Sequence, residues 1–346
     1  MESYLDVESS SMHAMDSDTT LIITDDLDIV QIQRRLLSVL KKMLCSETDF
    51  LKITQTEKYN RIGYLVKEAI SELTLLERSI SEFQQLHPTI LLFSSVLKSH
   101  SMTELSATDA TVINHVLRQF RKDAQSASHK RQLRNFLRAA SKNLKGSLAF
   151  VDHLFEHNSR LLVVRVDLSY QKDIIKNQTI STAMTRAHRK RLFKRIHVHP
   201  LFENCLGYLW KLEYGQRKGF HYHTCFFFDG SKVRGDVMLA RRIGELWKNE
   251  ITSGKGLYFN CNAIASNYAQ SGIGDIHHTD RTKRSALQKA ITYLTKVDTA
   301  IRLTLPKGGR TFGRSEYVVR QGKKRGRPRL AVNATGSRST DIVAPD

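Results

Sequence analysis

The sequence predicts an α+β protein in which a mainly antiparallel sheet flanked by helices follows an all-helical region. Up to about residue 158 apolar residues recur at helical spacing, whereas from Arg160 onward short β-branched runs and a hairpin pattern replace them. A chain of 346 residues, 40% of them hydrophobic, can bury one substantial core and a smaller one. We therefore expect two folded units, a helical region over residues 26–158 and a sheet-containing domain over residues 159–315.

The first 25 residues lack the sequence features of a folded segment. Residues 1–25 are rich in Ser, Asp and Thr and lack periodic apolar positions, so we predict an acidic disordered N-terminus. The clearest apolar stripe of the helical region comprises Ile62, Leu65, Val66, Ala69, Ile70, Leu73, Leu76 and Ile80.

A later helix is predicted at about residues 129–155. Its apolar face comprises Leu133, Phe136, Leu137, Ala140, Leu144, Leu148 and Val151. Basic residues lie largely outside that face: Arg131, Arg134, Arg138, Lys142 and Lys145. They form either a solvated basic face or a contact surface for DNA, and the sequence leaves both interpretations open.

The second unit has the pattern of strands joined by helices and tight turns. The run LLVVRVDLSY, residues 161–170, is short, β-branched and apolar, as a buried strand is. Residues 207–230, GYLWKLEYGQRKGFHYHTCFFFDG, alternate on both sides of a Gly-containing turn and predict a β-hairpin. The remaining predicted elements are helices at about 179–196, 236–250 and 284–298 and a strand at 256–262.

The chain is strongly basic, with 54 Lys and Arg against 34 Asp and Glu and a formal net charge of +20. Eight of the acidic residues and none of the basic ones fall within the first 33 residues, so the rest of the chain is more basic still. This excess indicates a polyanionic partner, nucleic acid or acidic lipid.

Two classes of protein are disfavoured. The four cysteines form no CxxC pair, which argues against a disulfide framework and a cysteine-rich zinc site and predicts reduced, buried thiols. An acidic N-terminus and the lack of an apolar stretch of roughly 18–20 residues predict a cytoplasmic protein with no membrane association.

The central motif is His221-Tyr222-His223. Residues two apart on a strand point to the same face, so both imidazoles can bind one metal ion. Glu213, on the preceding strand of the predicted hairpin, could complete the ligand set. Two imidazoles and a carboxylate suit Mg²⁺ or Mn²⁺ with positions open for a scissile phosphate.

A second motif is Tyr293 with Lys296 in the stretch ALQKAITYLTKVD. Its helical stripe comprises Leu287, Ala290, Ile291, Leu294 and Val297, while Lys289, Tyr293 and Lys296 fall on the opposite face. A phenol flanked by lysines can attack phosphorus to give a phosphotyrosine. Alternatively, Tyr293 is a surface residue that packs on the aliphatic stems of the lysines.

The order of these motifs resembles that of the HUH replication endonucleases. More narrowly, the hairpin sequence, the later ITYLTKVD and RTFGRS (310–315) resemble the inovirus-type gene-two replication proteins and the YagK/YfjJ C-terminal family of prophages, over about residues 160–315. The resemblance implies an HUH-type sheet, His221, His223 and Glu213 as metal ligands, Tyr293 as nucleophile and Lys296 as its helper. It departs from the two-tyrosine initiators, because Lys289 and Val297 stand four residues on either side of Tyr293.

Two other histidine pairs are weaker candidates. His197 and His199 share the two-residue spacing but precede Pro200 and have no upstream acidic residue at a comparable distance, so we predict a loop or helix-end role. His277 and His278 are adjacent and would face opposite ways on a strand; in a loop they could contact phosphate. No P-loop motif is present, so the sequence does not support a helicase activity.

The basic tail, residues 316–346, is predicted to be disordered and to contain an AT-hook-like segment around Arg325-Gly326-Arg327-Pro328. Glycine lets the backbone lie deep in an A·T-rich minor groove, where the potential attracts arginine. The predicted DNA-binding residues are Lys289, Lys323, Lys324, Arg325, Gly326, Arg327, Pro328 and Arg329.

Taken together, the motifs predict a metal-dependent nuclease that nicks and rejoins single-stranded DNA and initiates rolling-circle replication through a 5′-phosphotyrosine. Its expected partners are single-stranded and duplex DNA together with the host replication helicase and polymerase. A single-tyrosine transposase or a relaxase would use the same residues. Alternatively, the protein is a catalytically silent DNA-binding regulator of a mobile element, which has the same fold and binds DNA through the basic tail.

Overall fold

The computed structural model describes residues 24–46, 61–100, 110–171, 180–215, 218–267, 271–296, 301–305 and 309–316, and it has the predicted α+β architecture. The predicted acidic N-terminus before residue 24 and the basic tail beyond residue 316 lie outside these ranges. The helices are α1 Thr24–Cys45, α2 Arg61–Ser79, α3 Pro88–Ser99, α4 Ala110–Gln125, α5 Ala127–His157, α6 Thr182–Arg195, α7 Asp236–Glu245 and α8 Arg281–Lys296. The strands are β1 Gln84–Leu86, β2 Arg160–Tyr170, β3 Cys205–Gly215, β4 Gly219–Asp229, β5 Gly256–Asn260, β6 Gly274–His277, β7 Ile301–Leu303 and β8 Phe312–Arg314.

Helices α1 to α4 enclose a core of their own. The stripe predicted on α2 is buried at Val66, Ala69, Ile70, Leu73 and Leu76, and these side chains pack with apolar residues of α1, α3 and α4. Burying one such stripe removes apolar surface from water on each helix, which is what stabilises short helices in a folded protein.

The predicted hairpin forms the centre of a six-stranded sheet with the order β5-β2-β4-β3-β8, and β6 pairs with the same side of β2 as β5. All these pairings are antiparallel. The hairpin register pairs Glu213 with His221, and β2 pairs Asp167 with His223. Residues at odd positions of β2, β3 and β4 near these pairs therefore share one face of the sheet.

The two faces of the sheet are covered by different helices. One face packs Val166, Leu212, Tyr222 and their neighbours against α6, α7 and the turn that contains Trp247. The other face packs Val163, Leu209 and Phe227 against the C-terminal half of α5 and against α8. Because His221 and His223 alternate with Tyr222, they lie on the face that α5 and α8 cover.

The short edge strand β8 brings the RTFGRS segment onto the sheet. A Cβ atom at Gly313 would come 2.6 Å from the Trp210 indole, so glycine permits this close approach. The Ser315 hydroxyl accepts a hydrogen bond of 3.0 Å from the backbone N–H of Tyr208. The segment that contributed to the family resemblance is thus part of the sheet.

The structure differs from the predicted elements mainly where the elements are short. Strands β1, β6, β7 and β8 have three or four residues, too few for a period of two to be read from the sequence. The predicted helix at 236–250 becomes α7 followed by a π-helical turn, Leu246–Ile251, which buries Trp247. The indole N–H of Trp247 donates to the Ser169 carbonyl at 2.9 Å, and this fixed contact accompanies the change in helical pitch.

All four cysteines are free, as expected for the absence of a disulfide framework. Cys225 and Cys261 are buried and Cys205 is half-buried, but the prediction of burial is wrong for Cys45, which is exposed at the end of α1.

None of the helices in the described part of the chain combines the length and the apolarity that crossing a bilayer requires.

Candidate metal centre

Three neighbouring strands each carry two polar residues two positions apart, in the middle of otherwise apolar sequence. Since the strands are in register, all six side chains lie on the face covered by α5 and α8. This polar cluster comprises Arg165 and Asp167 on β2, Lys211 and Glu213 on β3, and His221 and His223 on β4.

The predicted ligand residues converge within the polar cluster. One ligand atom from each of Glu213, His221 and His223 lies within 4.8 Å of the other two. The Oε2 atom of Glu213 lies 3.3 Å from Nε2 of His223 and 3.7 Å from Nε2 of His221. The two imidazole rings are perpendicular, with centroids 5.1 Å apart. The sequence therefore predicted a set of three donor groups that the fold brings together.

The other nitrogen of each imidazole faces an acceptor. Nδ1 of His221 is 3.1 Å from the Gly219 carbonyl, which can only accept, so this nitrogen carries the proton. Nδ1 of His223 lies 2.9 Å from Oδ2 of Asp167. Asp167 lies within ion-pair distance of His223 but without hydrogen-bond geometry. A carbonyl partner such as Gly219 orients a metal-ligating histidine and leaves the Nε2 lone pair for the ion. The donor set thus fits a divalent cation.

The electrostatics of the cluster oppose the effect of burial. Burial alone would raise the pKa of Glu213, but the adjacent His223 and His221 hold the pKa of this carboxyl well below its usual range. Burial disfavours the charged form of His223, yet Asp167 and Glu213 on either side raise the pKa of its imidazole above the ordinary value. The two carboxylates therefore stabilise the charged form of His223, and Arg165, 3.6 Å from Asp167, offsets part of their negative charge.

Access to the centre is limited but present. The side chains of Glu213 and His223 are each 14% exposed, whereas that of His221 is 1% exposed. Solvent therefore reaches Glu213 and His223 to a small extent, whereas His221 is enclosed.

Helix α8 presents Tyr293 differently from its core residues. Leu287, Ile291 and Leu294 of the predicted stripe are buried, while Tyr293 is 38% exposed. Lys289, one turn earlier, is exposed as predicted, and Ala290 is half-buried. The side chains of Lys296 and Val297 lie outside the described part of the chain, as do the predicted DNA-binding residues 323–329.

The course of α8 relates Tyr293 to the polar cluster. Three residues before α8, the His278 N–H donates to the Ser159 carbonyl at 2.8 Å, next to the start of β2. Soon after α8, the Thr304 N–H donates to the carbonyl of Phe83, whose ring lies 5.1 Å from that of Phe220. A helix of 16 residues spans about 24 Å. Thus α8 runs along the sheet toward the strand ends that carry Glu213 and His221.

The rival histidine pairs occupy other environments. The His199 side chain caps a 3₁₀ turn, Pro200–Phe202, by accepting from the Leu201 N–H at 3.2 Å, which confirms the predicted helix-end role. His277 ends β6, and its Nδ1 lies 2.7 Å from the Thr279 hydroxyl.

Sequence reasoning missed Asp167 and Lys211. Asp167 is 2% exposed and Lys211 is fully buried, and the hairpin register pairs Lys211 with His223. A signal was present, because an ionisable residue inside a buried strand requires a partner. Each of these residues also lies two positions from another polar residue on its strand, the same spacing that identified the histidine pair.

Comparison with known proteins gives one positive result. No curated protein matches the chain, and no solved structure does. A family model described as the YagK/YfjJ C-terminal domain matches residues 120–315, from the end of α4 through β8. This range exceeds half of the chain and contains the polar cluster and α8. The chain therefore belongs to the YagK/YfjJ C-terminal domain family, which is associated with prophages.

Proposed function

We propose that this protein is an HUH-type, metal-dependent endonuclease that nicks and rejoins single-stranded DNA to initiate rolling-circle replication. The observation that carries the proposal is the convergence of Glu213, His221 and His223 on the sheet face along which α8, with its exposed Tyr293, runs. Metal-assisted phosphoryl transfer to tyrosine requires a metal-binding set such as this carboxylate and two imidazoles, together with a phenol that the DNA strand can reach.

In this proposal Glu213, His221 and His223 hold the ion, and Asp167 and the Gly219 carbonyl orient the two imidazoles. When bound, Mg²⁺ or Mn²⁺ supplies Lewis-acid polarisation of a phosphate oxygen. The Glu213 carboxylate contributes negative charge directly to the ion. A phosphate would approach the ion past Glu213 and His223, whose side chains are each 14% exposed.

Tyr293 acts as the nucleophile. Its phenolic hydroxyl gives up a proton to solvent, and the oxygen forms a bond to phosphorus as the bond from phosphorus to the 3′ oxygen breaks. The 5′ phosphate stays on the tyrosine, and the departing 3′ oxygen takes up a proton to become a hydroxyl that can prime synthesis. A neighbouring cation lowers the cost of charge on the phenolic oxygen, and Lys296, one turn after Tyr293, is the residue we assign to this role.

Exposure separates Tyr293 from the other tyrosines. Among the tyrosines whose side chains the structure describes, Tyr64 at 56% and Tyr293 at 38% are the exposed ones. Tyr64 lies on α2, within the helical region that packs around its own core. Burial raises the pKa of Tyr222 to about 12, which disfavours it as a nucleophile.

Helix α5 supports DNA as the partner. Its exposed residues include a basic stripe with steps of three and four positions: Arg131, Arg134, Arg138, Lys142 and Lys145. The last three of these line an open groove of about 570 Å³. Between Asp123 and Asp152 the chain has no acidic residue, so the stripe suits a phosphate backbone. On the opposite side, α5 packs on the face of the sheet that carries the polar cluster.

The proposal is tested with labelled single-stranded oligonucleotides of random sequence and Mn²⁺. A covalent protein–DNA adduct that resists denaturant supports it. If DNA binds but no adduct or nick forms with any divalent ion, the second candidate, a catalytically silent DNA-binding regulator, is correct. The observation that favours this second candidate is that His223 already has charged partners on both sides without an ion, in Asp167 and Glu213.

Asp167→Asn is expected to weaken Mn²⁺ binding by roughly 10–100-fold, because the side chain that orients His223 loses its charge. Isothermal titration with Mn²⁺ measures the effect, and thermal unfolding without metal shows whether the variant folds. Asp229→Asn, at the other end of the hairpin strand β4, is the matched control and should bind Mn²⁺ as the wild type does. Equal affinity in wild type and Asp167→Asn would contradict the role of Asp167.

Replacing Arg138, Lys142 and Lys145 by Gln is expected to weaken DNA binding and to flatten its dependence on salt. Each lost phosphate contact reduces the slope of log K against log salt by about 0.7 for a single strand and about 0.9 for a duplex. The matched control removes the same charge from helices α1 and α2, at Lys42, Lys67 and Arg78. If both triple variants lose affinity equally at every salt concentration, net charge rather than the basic stripe governs binding.

A further inference from the structure

The last two turns of α5 carry a second cluster of metal-ligating side chains, separate from the polar cluster on the sheet. One ligand atom from each of His153, Glu156 and His157 lies within 4.8 Å of the other two. Positions i, i+3 and i+4 of a helix lie on one face, so this His-x-x-Glu-His spacing places all three groups side by side. We propose that these residues form a surface binding site for a late first-row transition metal ion, with Zn²⁺ the natural occupant.

The geometry is close to that of a three-ligand site. The rings of His153 and His157 have centroids 4.2 Å apart, and Nδ1 of His153 is 3.8 Å from Oε2 of Glu156. Ligands bound to one Zn²⁺ at about 2.0–2.1 Å in tetrahedral geometry lie roughly 3.3–3.5 Å from each other. The Glu156 side chain is 69% exposed, so small rotations can close the remaining distance without disturbing the core.

The orientation of His157 is set by its own helix. Its Nδ1 lies 2.9 Å from the backbone carbonyl of His153, which can only accept, so the proton is on Nδ1. The lone pair of the neutral ring is then on Nε2, directed away from that contact. This is the arrangement of a metal-ligating histidine whose second nitrogen bonds to a carbonyl.

The position on the helix also favours a cation. The C-terminal end of a helix carries partial negative charge, and His157 is the final residue of α5. Asn158 fixes this end, because both its backbone N–H, at 2.9 Å, and its side-chain amide, at 2.8 Å, donate to the Leu154 carbonyl. Imidazole nitrogens bind Zn²⁺, Ni²⁺ and Cu²⁺ well, so these are the ions we expect at His153 and His157.

A bound ion would link successive turns at the end of α5, immediately before β2 begins. Nearby, Asp152 pairs with Arg284 of α8 at 3.0 Å, and the Arg284 guanidinium lies over the Phe155 ring at 4.7 Å. The ion would therefore stabilise the segment where α5, β2 and α8 meet. With three protein ligands, water would complete the coordination of the ion.

The test is calorimetric titration of the full-length protein with Zn²⁺. It compares the wild type with a His221→Ala/His223→Ala background, which lacks two ligands of the candidate metal centre on the sheet. In that background we expect one equivalent to bind and to raise the midpoint of thermal unfolding by about 2–4 °C. Adding His157→Ala should remove that equivalent, and adding Glu156→Gln instead should weaken it by about tenfold or more. His277→Ala/His278→Ala, an adjacent pair with ring centroids 4.6 Å apart, is the matched control and should leave Zn²⁺ binding unchanged.

Equal Zn²⁺ binding before and after His157→Ala is added to the His221→Ala/His223→Ala protein would overturn the proposal. The proposal also fails if the His221→Ala/His223→Ala protein unfolds cooperatively but binds no Zn²⁺. If that background does not fold, the loss of one equivalent on adding His157→Ala to the wild type decides the same question. The result is independent of nicking activity, because the residues of the α5 site take no part in the proposed DNA chemistry. A protein that fails to nick DNA can still pass this test.

Discussion

Tyr293→Phe is expected to abolish the covalent protein–DNA adduct and to reduce nicking by roughly a thousandfold or more, while the protein folds and binds DNA. Phenylalanine keeps the ring that α8 presents to solvent and removes the one oxygen that can attack phosphorus. Denaturing electrophoresis with labelled single-stranded DNA measures both products. Because Tyr293 is 38% exposed, water can reach the position of the lost hydroxyl, and we expect the fold to be retained.

The matched control is Tyr64→Phe, the same chemical change at an exposed tyrosine on α2. It should form the adduct at the wild-type rate. If Tyr293→Phe still forms the adduct and Tyr64→Phe does not, the nucleophile has been assigned to the wrong helix. Adduct formation by both variants would show that a different tyrosine is the nucleophile.

Long elements could be predicted from the sequence because their patterns extend over several repeats. The hairpin predicted at 207–230 corresponds to β3 and β4, and the strand predicted at 161–170 corresponds to β2. The helix predicted at 129–155 extends over Ala127–His157, with Phe136, Ala140 and Val151 of its apolar face buried. In each of these elements local periodicity and burial in the fold agree.

The elements that could not be predicted depend on contacts distant in sequence. β7 forms because Ile301–Leu303 pair with Gln84–Leu86, more than 200 residues earlier. β8 forms because Gly313 allows the backbone to approach Trp210. Neither segment has a pattern of its own, and only the assembled sheet provides the partner.

The part of the candidate metal centre that is close in sequence could be predicted, and the part that depends on strand order could not. His221 and His223 share a strand, and Glu213 lies within the same hairpin, so spacing alone relates the three. Asp167 belongs to β2, and its pairing with His223 depends on the order of strands in the sheet. Its position in the buried run LLVVRVDLSY was the available sign that it had a charged partner.

His221→Ala combined with His223→Ala is expected to reduce nicking by at least about a hundredfold and to remove its dependence on Mn²⁺. Lewis-acid stabilisation of a phosphoryl transition state is worth several kcal/mol, which corresponds to more than two powers of ten in rate. Affinity for single-stranded DNA should stay within about threefold of the wild type, because Lys and Arg contacts to phosphate dominate it. The measurement pairs a nicking assay across Mn²⁺ concentrations with a binding titration at fixed salt.

The control for this double variant is His197→Ala/His199→Asn, which changes the other pair with the same spacing. Asparagine at position 199 keeps a side-chain acceptor for the Leu201 N–H, so the 3₁₀ turn is retained. Since His221 is 1% exposed, its removal also leaves a cavity, and thermal unfolding must show a cooperative transition before the activities are compared. Nicking by the folded His221→Ala/His223→Ala protein that is undiminished and insensitive to EDTA would exclude these histidines as metal ligands. Loss of nicking in both double variants would show that the substitutions act through the fold and not through the metal centre of Glu213, His221 and His223.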